Sequence, residues 1–244
     1  MGASKSLTRQ LIDFSIPLIL SGLLQQMFSW ADAFIVGNVV GEDALGAVGA
    51  TLYITQMFVM AITGFTSGVS ILSAQMFGEG RLEEQKKVLA TFLSVVSAAF
   101  LAAACIGIWT ARPALELLDT PGDIFEMAWE YLRLVLLGVP FLAIYNVYAA
   151  VLRGIGDSRA PFWAVVVSVA VNVVMDLVLI AGLRMGVAGA AWATVASQMM
   201  MALFLVCYAG KRHSMLRFRG EQGLFDREIL RAGSALAMPI TVQS

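Results

Sequence analysis

Residues 88–110 read VLATFLSVVSAAFLAAACIGIWT, and no charged residue occurs between Lys87 and Arg112. A helix needs about 20 consecutive apolar residues to cross a hydrocarbon core of about 30 Å, and this stretch meets that requirement. It lacks the alternation of apolar and polar residues over about ten positions that is typical of a strand in an outer-membrane barrel. The stretch therefore predicts a transmembrane α-helix.

Similar apolar runs lie on both sides of this one. We place the complete runs at approximately 12–40, 44–77, 88–110, 132–152, 161–183 and 187–209, and a further run begins near Ile229. Hydrophobic residues make up 59% of the chain and charged residues 14%, whereas a soluble domain carries roughly a quarter charged residues. The predicted fold class is an all-α membrane protein with a bundle of six transmembrane helices and the start of a seventh.

The basic residues are distributed unevenly between the two ends of the predicted bundle. All but three of the 16 Lys and Arg residues lie in the N-terminal segment or in the loop after every second helix: Lys5, Arg9, Arg81, Lys86, Lys87, Arg153, Arg159, Lys211, Arg212, Arg217, Arg219, Arg227 and Arg231. The other three are Arg112, Arg133 and Arg184. The positive-inside rule predicts a multi-pass protein of the cell (inner or plasma) membrane with both termini in the cytoplasm.

The end of the chain is similar in pattern to its beginning. DREILRAGSALAMPI at 226–240 and TRQLIDFSIPL at 8–18 both place charged residues before an apolar stretch that contains a proline. A tandem repeat of two six-helix halves would produce this pattern. We therefore expect a six-helix lobe at 1–210, a cytoplasmic inter-lobe loop at 211–227 and the start of helix seven at 228–244. The missing second lobe is then a partner of this one in the same chain.

Two ionisable residues lie deep inside predicted spans, Asp32 in helix one and Asp176 in helix five. At about 1.5 Å per residue, they lie roughly 13 Å and 10 Å below the outer ends of their helices. Asn172 is one turn from Asp176, and Thr194 of helix six lies at a similar depth. An oxygen-only cluster of this kind would suit Na⁺, bound by Asp32 and Asp176, or shared protons. The alternative is that each acid only caps or hydrogen-bonds a neighbouring helix.

Three further residues are notable because of where they occur in apolar helices. Gln25 and Asn146 could line a substrate cavity, although hydrogen bonding between helices would explain them equally well. Pro17 removes a backbone hydrogen bond from helix one and is therefore a candidate hinge.

Composition excludes several classes of function. The net charge of −1 leaves no basic face for phosphates, so we expect no nucleic-acid partner. No nucleophile–base pair or metal-ligand set lies at membrane depth, so we do not expect an enzyme. In the loop after helix four, Asp157 could pair with Arg153 or Arg159, and His213 is expected to be solvated.

The chain carries several short motifs in a characteristic order. These are Pro17, Gln25 and Asp32 in helix one, IVGNVVGEDALGAVG at 35–49, SAQMFGEGR at 73–81, RGIGDSRAP at 153–161, Asn172 with Asp176 in helix five, and Thr194 in helix six. This combination resembles the multidrug and toxic compound extrusion (MATE) family over essentially the whole chain.

The resemblance implies a fold and an activity. Members of that family have twelve helices in two lobes and exchange Na⁺ or H⁺ for organic cations or drugs. By this likeness, Asp32, Asn172, Asp176 and Thr194 form the cation-coupling site, and helix one bends near Pro17. The implied function is secondary active antiport, with Na⁺ or H⁺ as the coupling ion and no other cofactor. The implied partners are a small cationic substrate and the lipid bilayer.

Two alternatives remain open from the sequence. A flippase for lipid-linked oligosaccharide, from a related superfamily, would share the helical architecture. Such a flippase needs arginines in its cavity to bind pyrophosphate, whereas the charges predicted inside the membrane are acidic. The second alternative is a non-transporting membrane scaffold or fragment. The sequence does not distinguish Na⁺ from H⁺.

Overall fold

The computed structural model describes residues 7–216 and 225–243, which form helices and contain no strand. Lys5, Arg217 and Arg219 of the predicted cytoplasmic set lie outside these ranges. The helices are α1 (Leu7–Ile35), α2 (Glu42–Gly78), α3 (Glu84–Leu117), α4 (Phe125–Leu136), α5 (Val139–Gly154), α6 (Arg159–Asp176), α7 (Gly186–Arg212) and α8 (Arg227–Gln243). The predicted all-α class is confirmed.

Most of these helices are long and apolar enough to cross a membrane. Five stretches qualify alone: Leu11–Val40, Glu42–Gly78, Glu84–Leu117, Arg159–Gly182 and Gly186–Arg212. The pair α4 and α5 qualifies as a sixth span when its two helices are taken together, with a bend of 42° between them. The structure therefore provides the six spans that the apolar runs predicted.

The predicted boundaries of the fourth span, 132–152, are wrong. Its helix begins at Phe125, and it is interrupted between Leu136 and Val139. At the interruption, the Gly138 N–H donates to the Val135 carbonyl at 2.9 Å, which is the tighter i→i+3 spacing. Pro140 adds a residue without an N–H just beyond the bend. The span is therefore two short helices in place of one straight helix.

α5 forms the centre of the bundle. Every residue from Tyr145 to Leu152 is buried, and the helix packs against α2, α3 and α7. Ala149 and Ala150 keep its surface small, which allows the neighbouring helices to approach closely. In contrast, α1 lies at the edge of the bundle, where α6 is its main helical neighbour.

A buried polar network joins α2, α3 and α5. Ser73 Oγ donates to Gln85 Oε1 at 2.7 Å, and Gln85 Nε2 donates to the Ser73 carbonyl at 2.9 Å. Ser73 Oγ also lies 3.2 Å from the Val151 carbonyl. Ser73 and Gln85 are both fully buried. Because Gln85 binds both the hydroxyl and the backbone carbonyl of Ser73, this network fixes the register of α2 against α3.

Replacing Ser73 by alanine is expected to destabilise the bundle by about 1–3 kcal/mol, because it leaves Gln85 Oε1 buried without a donor. The thermal unfolding midpoint of the purified protein measures this effect. Ser94→Ala is a matched control, since the Ser94 hydroxyl donates to the Ala90 carbonyl of its own exposed turn. Equal midpoints for the two variants would contradict a structural role for the network.

α8, the predicted start of helix seven, is docked on the six-helix bundle at its first turn. The Asp226 carboxylate accepts hydrogen bonds from the backbone N–H groups of Glu228 at 2.8 Å and Ile229 at 3.3 Å, which is a helix N-cap. The Asp226 N–H in turn donates to Thr91 Oγ1 of α3 at 3.0 Å. The entry of α8 is therefore tied to α3 by a hydrogen bond between elements.

Two glycines let α8 approach its neighbours. A Cβ atom added to Gly68 of α2 would lie 2.5 Å from the Ala237 backbone nitrogen. A Cβ atom added to Gly233 of α8 would overlap the ring of Phe92 on α3. At Gly68 two backbones meet at a distance that only glycine allows, and at Gly233 the missing Cβ makes room for an aromatic ring.

The expected surroundings of Asp157 and His213 are also wrong. His213 Nε2 lies 2.9 Å from Asp157 Oδ2, and the Tyr208 hydroxyl donates to the same oxygen at 3.1 Å. Asp157 Oδ1 accepts from the Ala160 N–H at the start of α6. Asp157 therefore pairs with the end of α7 rather than with Arg153 or Arg159, because the fold brings the two loops together.

Candidate functional site

The two membrane-depth acids meet between α1 and α6. The carboxyl groups of Asp32 and Asp176 lie close enough to interact directly with each other. Asp176 is 0% exposed, and Asp32 is half-buried. The sequence predicted this proximity from depth alone, and the structure places both side chains in one polar cluster.

Asn172 connects Asp176 to α7. In the amide orientation that satisfies both groups, Asn172 donates to Asp176 Oδ2 at 2.6 Å and accepts from the Thr194 backbone N–H at 3.2 Å. The Thr194 hydroxyl donates to the Ala190 carbonyl of its own helix at 3.1 Å. The structure thus brings together all four residues predicted for the cation-coupling site: Asp32, Asn172, Asp176 and Thr194.

Tyr131 of α4 is a member of the cluster that sequence reasoning missed. Its hydroxyl interacts with the Thr194 side chain, and both carboxyl groups lie close enough to interact with it electrostatically. The side chain is 7% exposed. The predicted fourth span began at residue 132, so Tyr131 was placed outside the membrane. Its position on the same helix face as Val135, one turn further along, was the available signal.

One oxygen of each acid is left without a partner. Within the described residues, Asp32 Oδ1 and Asp176 Oδ1 are buried and make no hydrogen bond. A buried acceptor without a partner is costly, and a buried charge more so. A hydrogen bond between two carboxyl groups requires a proton on one of them, and a small cation between them would satisfy both. The donor set therefore fits either a shared proton or a weakly bound hard cation.

The cluster has the composition of an alkali-cation or proton site more than that of a transition-metal site. No group of three or more His, Cys, Asp or Glu side chains that could hold a metal ion occurs among residues 7–216 and 225–243. Two carboxylates, an amide and hydroxyls remain as oxygen donors. Such ligands suit hard cations.

Irregular helix follows each acid. Residues Val36–Val40, after Asp32, and Leu177–Gly182, after Asp176, form π-helical turns. The two π segments contact each other. Their buried side chains, Val36 and Ile180, belong to an apolar cluster that also contains Tyr131. Single π turns within α-helices are rare and frequently occur at functional sites.

A further unpartnered oxygen lies one helical turn beyond Thr194. Gln198 Oε1 is buried without a hydrogen-bond partner in the part of the chain that the structure describes. It lies directly against Gly138, at the interruption between α4 and α5. The absence of a Cβ at Gly138 makes room for this amide. The polar character of the cluster therefore extends along α7 to the bend of the fourth span.

The remaining predicted site residues lie elsewhere. Gln25 is exposed on α1. Asn146 is buried and donates to the Leu142 carbonyl of its own helix at 2.9 Å, so its amide joins neither a cavity nor a neighbouring helix in this contact. α1 continues as a helix through Pro17, whose carbonyl accepts from Ser21 Oγ at 2.7 Å.

The amino-acid sequence is similar to those of known transport proteins. Over 97% of this chain, it is 31% identical to the probable multidrug resistance protein YoeA of Bacillus subtilis, and it covers 53% of that protein. It is 27% identical to an FAD transporter of Shewanella oneidensis over 94% of its length, covering 50% of that relative.

The fold is similar to that of solved transporters. A crystal structure of MATE in the bent conformation superposes with a TM-score of 0.89 at 25% identity, over 96% of this chain and 52% of that one. The chain thus spans about half the length of the relatives that it matches. Residues 17–178 match the MatE family. The chain therefore belongs to the MatE family, the multidrug and toxic compound extrusion proteins.

Proposed function

We propose that this chain is the N-terminal lobe of a secondary active antiporter, which exports organic cations or drugs in exchange for Na⁺ or H⁺. The coupling ion binds at Asp32 and Asp176, with Asn172 and Thr194 completing the site. The observation that carries this proposal is the pair of buried, unpartnered Oδ1 atoms on two acids from different helices. The family membership supports the reaction class.

The geometry provides a reason for coupling. Asp32 is on α1 and Asp176 is on α6, so a cation bound by both joins a peripheral helix to the bundle. Without the cation, two neighbouring acids repel each other if both are ionised. A ligand shifts a conformational equilibrium by its difference in affinity for the two states. The bound cation therefore favours the conformer in which α1 and α6 are close.

α1 is suited to move. It lies at the edge of the bundle and packs mainly against α6. Pro17 removes one backbone hydrogen bond from its cytoplasmic half, so bending there costs less than in a regular helix. Displacement of α1 would reshape the surface that faces the second lobe. The substrate cavity is proposed to lie there, with Gln25 on its wall.

The orientation and the substrate class are part of the proposal. The excess of Lys and Arg in the loops after every second helix supports cytoplasmic termini in the cell membrane. The acids at membrane depth favour a cationic substrate, because substrate and coupling ion can then replace each other at a negative site. Because one relative is an FAD transporter, an anionic substrate should be tested beside the cationic one.

Transport by the full-length protein in proteoliposomes tests the function. A lipophilic cationic dye is loaded, and an inward gradient of Na⁺ or of protons is imposed separately. We expect one gradient to accelerate dye export, while FAD is not exported. Dye export that depends on neither gradient would contradict antiport, and export of FAD alone would contradict the substrate class.

Replacing Thr194 by the isosteric valine is expected to weaken binding of the coupling ion by about tenfold, because it removes the hydroxyl that Tyr131 contacts beside the acids. The concentration of Na⁺, or the pH, that half-saturates transport measures this. Thr110→Val is the matched control, since the Thr110 hydroxyl likewise donates to a carbonyl of its own helix, at 2.9 Å, but lies far from the acids. An unchanged half-saturation in Thr194→Val would remove Thr194 from the site.

A further inference from the structure

Two arginines share one tryptophan at the end of the bundle opposite the basic loops. The guanidinium carbon of Arg112 on α3 lies 4.7 Å from the ring centroid of Trp129 on α4, and that of Arg133 lies 4.5 Å from the same centroid. Both distances are within the range of cation–π contacts. Arg112 and Arg133 are two of only three basic residues that the sequence predicts at this end.

The charges in this cluster do not balance. Arg112 forms an ion pair with Glu126. Arg133 forms no ion pair with any residue in the ranges 7–216 and 225–243, and its described contact is with the indole of Trp129. In the cluster of Arg112, Arg133, Trp129 and Glu126, Arg133 is therefore the charged group without an ion-pair partner among the described residues.

The cluster lies at the level where lipid headgroups are found. α3 is apolar from Val88 to Trp109, which is about 31 Å along the helix and matches the thickness of a hydrocarbon core. Trp109 is 86% exposed, as is typical of an interfacial tryptophan. On α3, Arg112 lies one turn closer to the outer end than Trp109. Because α4 runs in the opposite direction, Arg133 lies one turn deeper in the membrane than Trp129. The unpaired guanidinium is thus near the depth of Trp109.

An apolar surface leads to the cluster from the membrane interior. Leu101, Ile106 and Trp109 are exposed along α3. Acyl chains packed on this surface would place their headgroup at the arginines. Guanidinium groups bind phosphate through paired hydrogen bonds, and a juxtamembrane cation attracts anionic lipid. We propose that Arg133, supported by Trp129 and Arg112, binds the phosphate of an anionic phospholipid at the outer ends of α3 and α4.

Thermal unfolding of the purified chain in detergent, with added phosphatidylglycerol or phosphatidylcholine of the same acyl chains, tests this site. We expect phosphatidylglycerol to stabilise the wild type more, and Arg133→Gln to weaken its apparent affinity about fivefold. Arg112→Gln is the matched control and should retain most of the preference, because Glu126 already compensates its charge. Since the two lipids are compared within each variant, a change in basal stability does not affect the result.

Two results would overturn the proposal. One is equal stabilisation of the wild type by both lipids, which would indicate a nonspecific detergent-like effect. The other is an undiminished preference for phosphatidylglycerol in Arg133→Gln. Native mass spectrometry of the same samples should show fewer retained phosphatidylglycerol molecules in that variant than in wild type, and equal numbers would also contradict the site.

Discussion

Replacing Asp32 by asparagine is expected to reduce ion-driven dye export to the level of vesicles without the protein. Asparagine has nearly the same shape, but it cannot bind a proton or contribute a negative charge. Asp176 would then face a neutral amide, and the coupling ion would lose one of its two carboxylates. Dye export by the full-length protein in proteoliposomes, under the gradient that drives the wild type, measures the effect.

Asp43→Asn is the control for charge removal, because Asp43 is exposed in the first turn of α2 and lies outside the cluster. It should export dye normally. The thermal midpoint of Asp32→Asn should not fall, since the substitution removes one of two neighbouring acids that repel when ionised. Wild-type export in Asp32→Asn would eliminate the coupling mechanism, whereas a collapsed midpoint would assign Asp32 a structural role.

Replacing Gly68 by leucine is expected to separate α8 from α2. The new side chain would need the space that the Ala237 backbone occupies, and backbone cannot move aside as the end of a flexible side chain can. Overpacking of this kind costs about 1–3 kcal/mol or more. We expect a lower thermal midpoint, and we expect that α8 no longer docks on the bundle.

Gly49→Leu on the same helix is the matched control, because a Cβ added at Gly49 meets no atom within 4 Å. It should preserve or slightly raise stability, since glycine in a helix interior costs about 0.5–1 kcal/mol relative to alanine. Comparable midpoints for Gly68→Leu and Gly49→Leu would show that α8 is not held at this contact.

The sequence predicted the spans well wherever one physical requirement dominated. In lipid, the backbone N–H and C=O groups of an uncharged run of about 20 residues can form their hydrogen bonds within a helix. α2, α3 and α7 accordingly contain the predicted runs within their bounds, and α6 nearly does so when the π turn Leu177–Gly182 is included. The start of the fourth span was misplaced because Glu126 resembles a loop charge. In the structure Glu126 lies in the first turn of α4, where Arg112 provides its partner.

The candidate site was partly predictable for a similar reason. Acids are rare at membrane depth, so Asp32 and Asp176 were conspicuous, and helical spacing placed Asn172 beside Asp176. Tyr131 gave only the weak signal of its helical spacing from Val135, because a tyrosine near a span end usually marks the interface. The position of Gln198 against Gly138 depends on the bend of the fourth span, which is a feature of tertiary packing. The role of these residues in ion coupling remains a prediction.

The π-helical turns after Asp32 and Asp176 have a mechanical consequence. Each contains a backbone hydrogen bond that spans one residue more than in a regular helix, such as that from the Gly41 N–H to the Val36 carbonyl. Reverting one such turn to regular spacing would rotate everything beyond it by about 100° around the helix axis. The ends of α1 and α6 that follow the acids are therefore each one hydrogen-bond exchange away from presenting a different set of side chains.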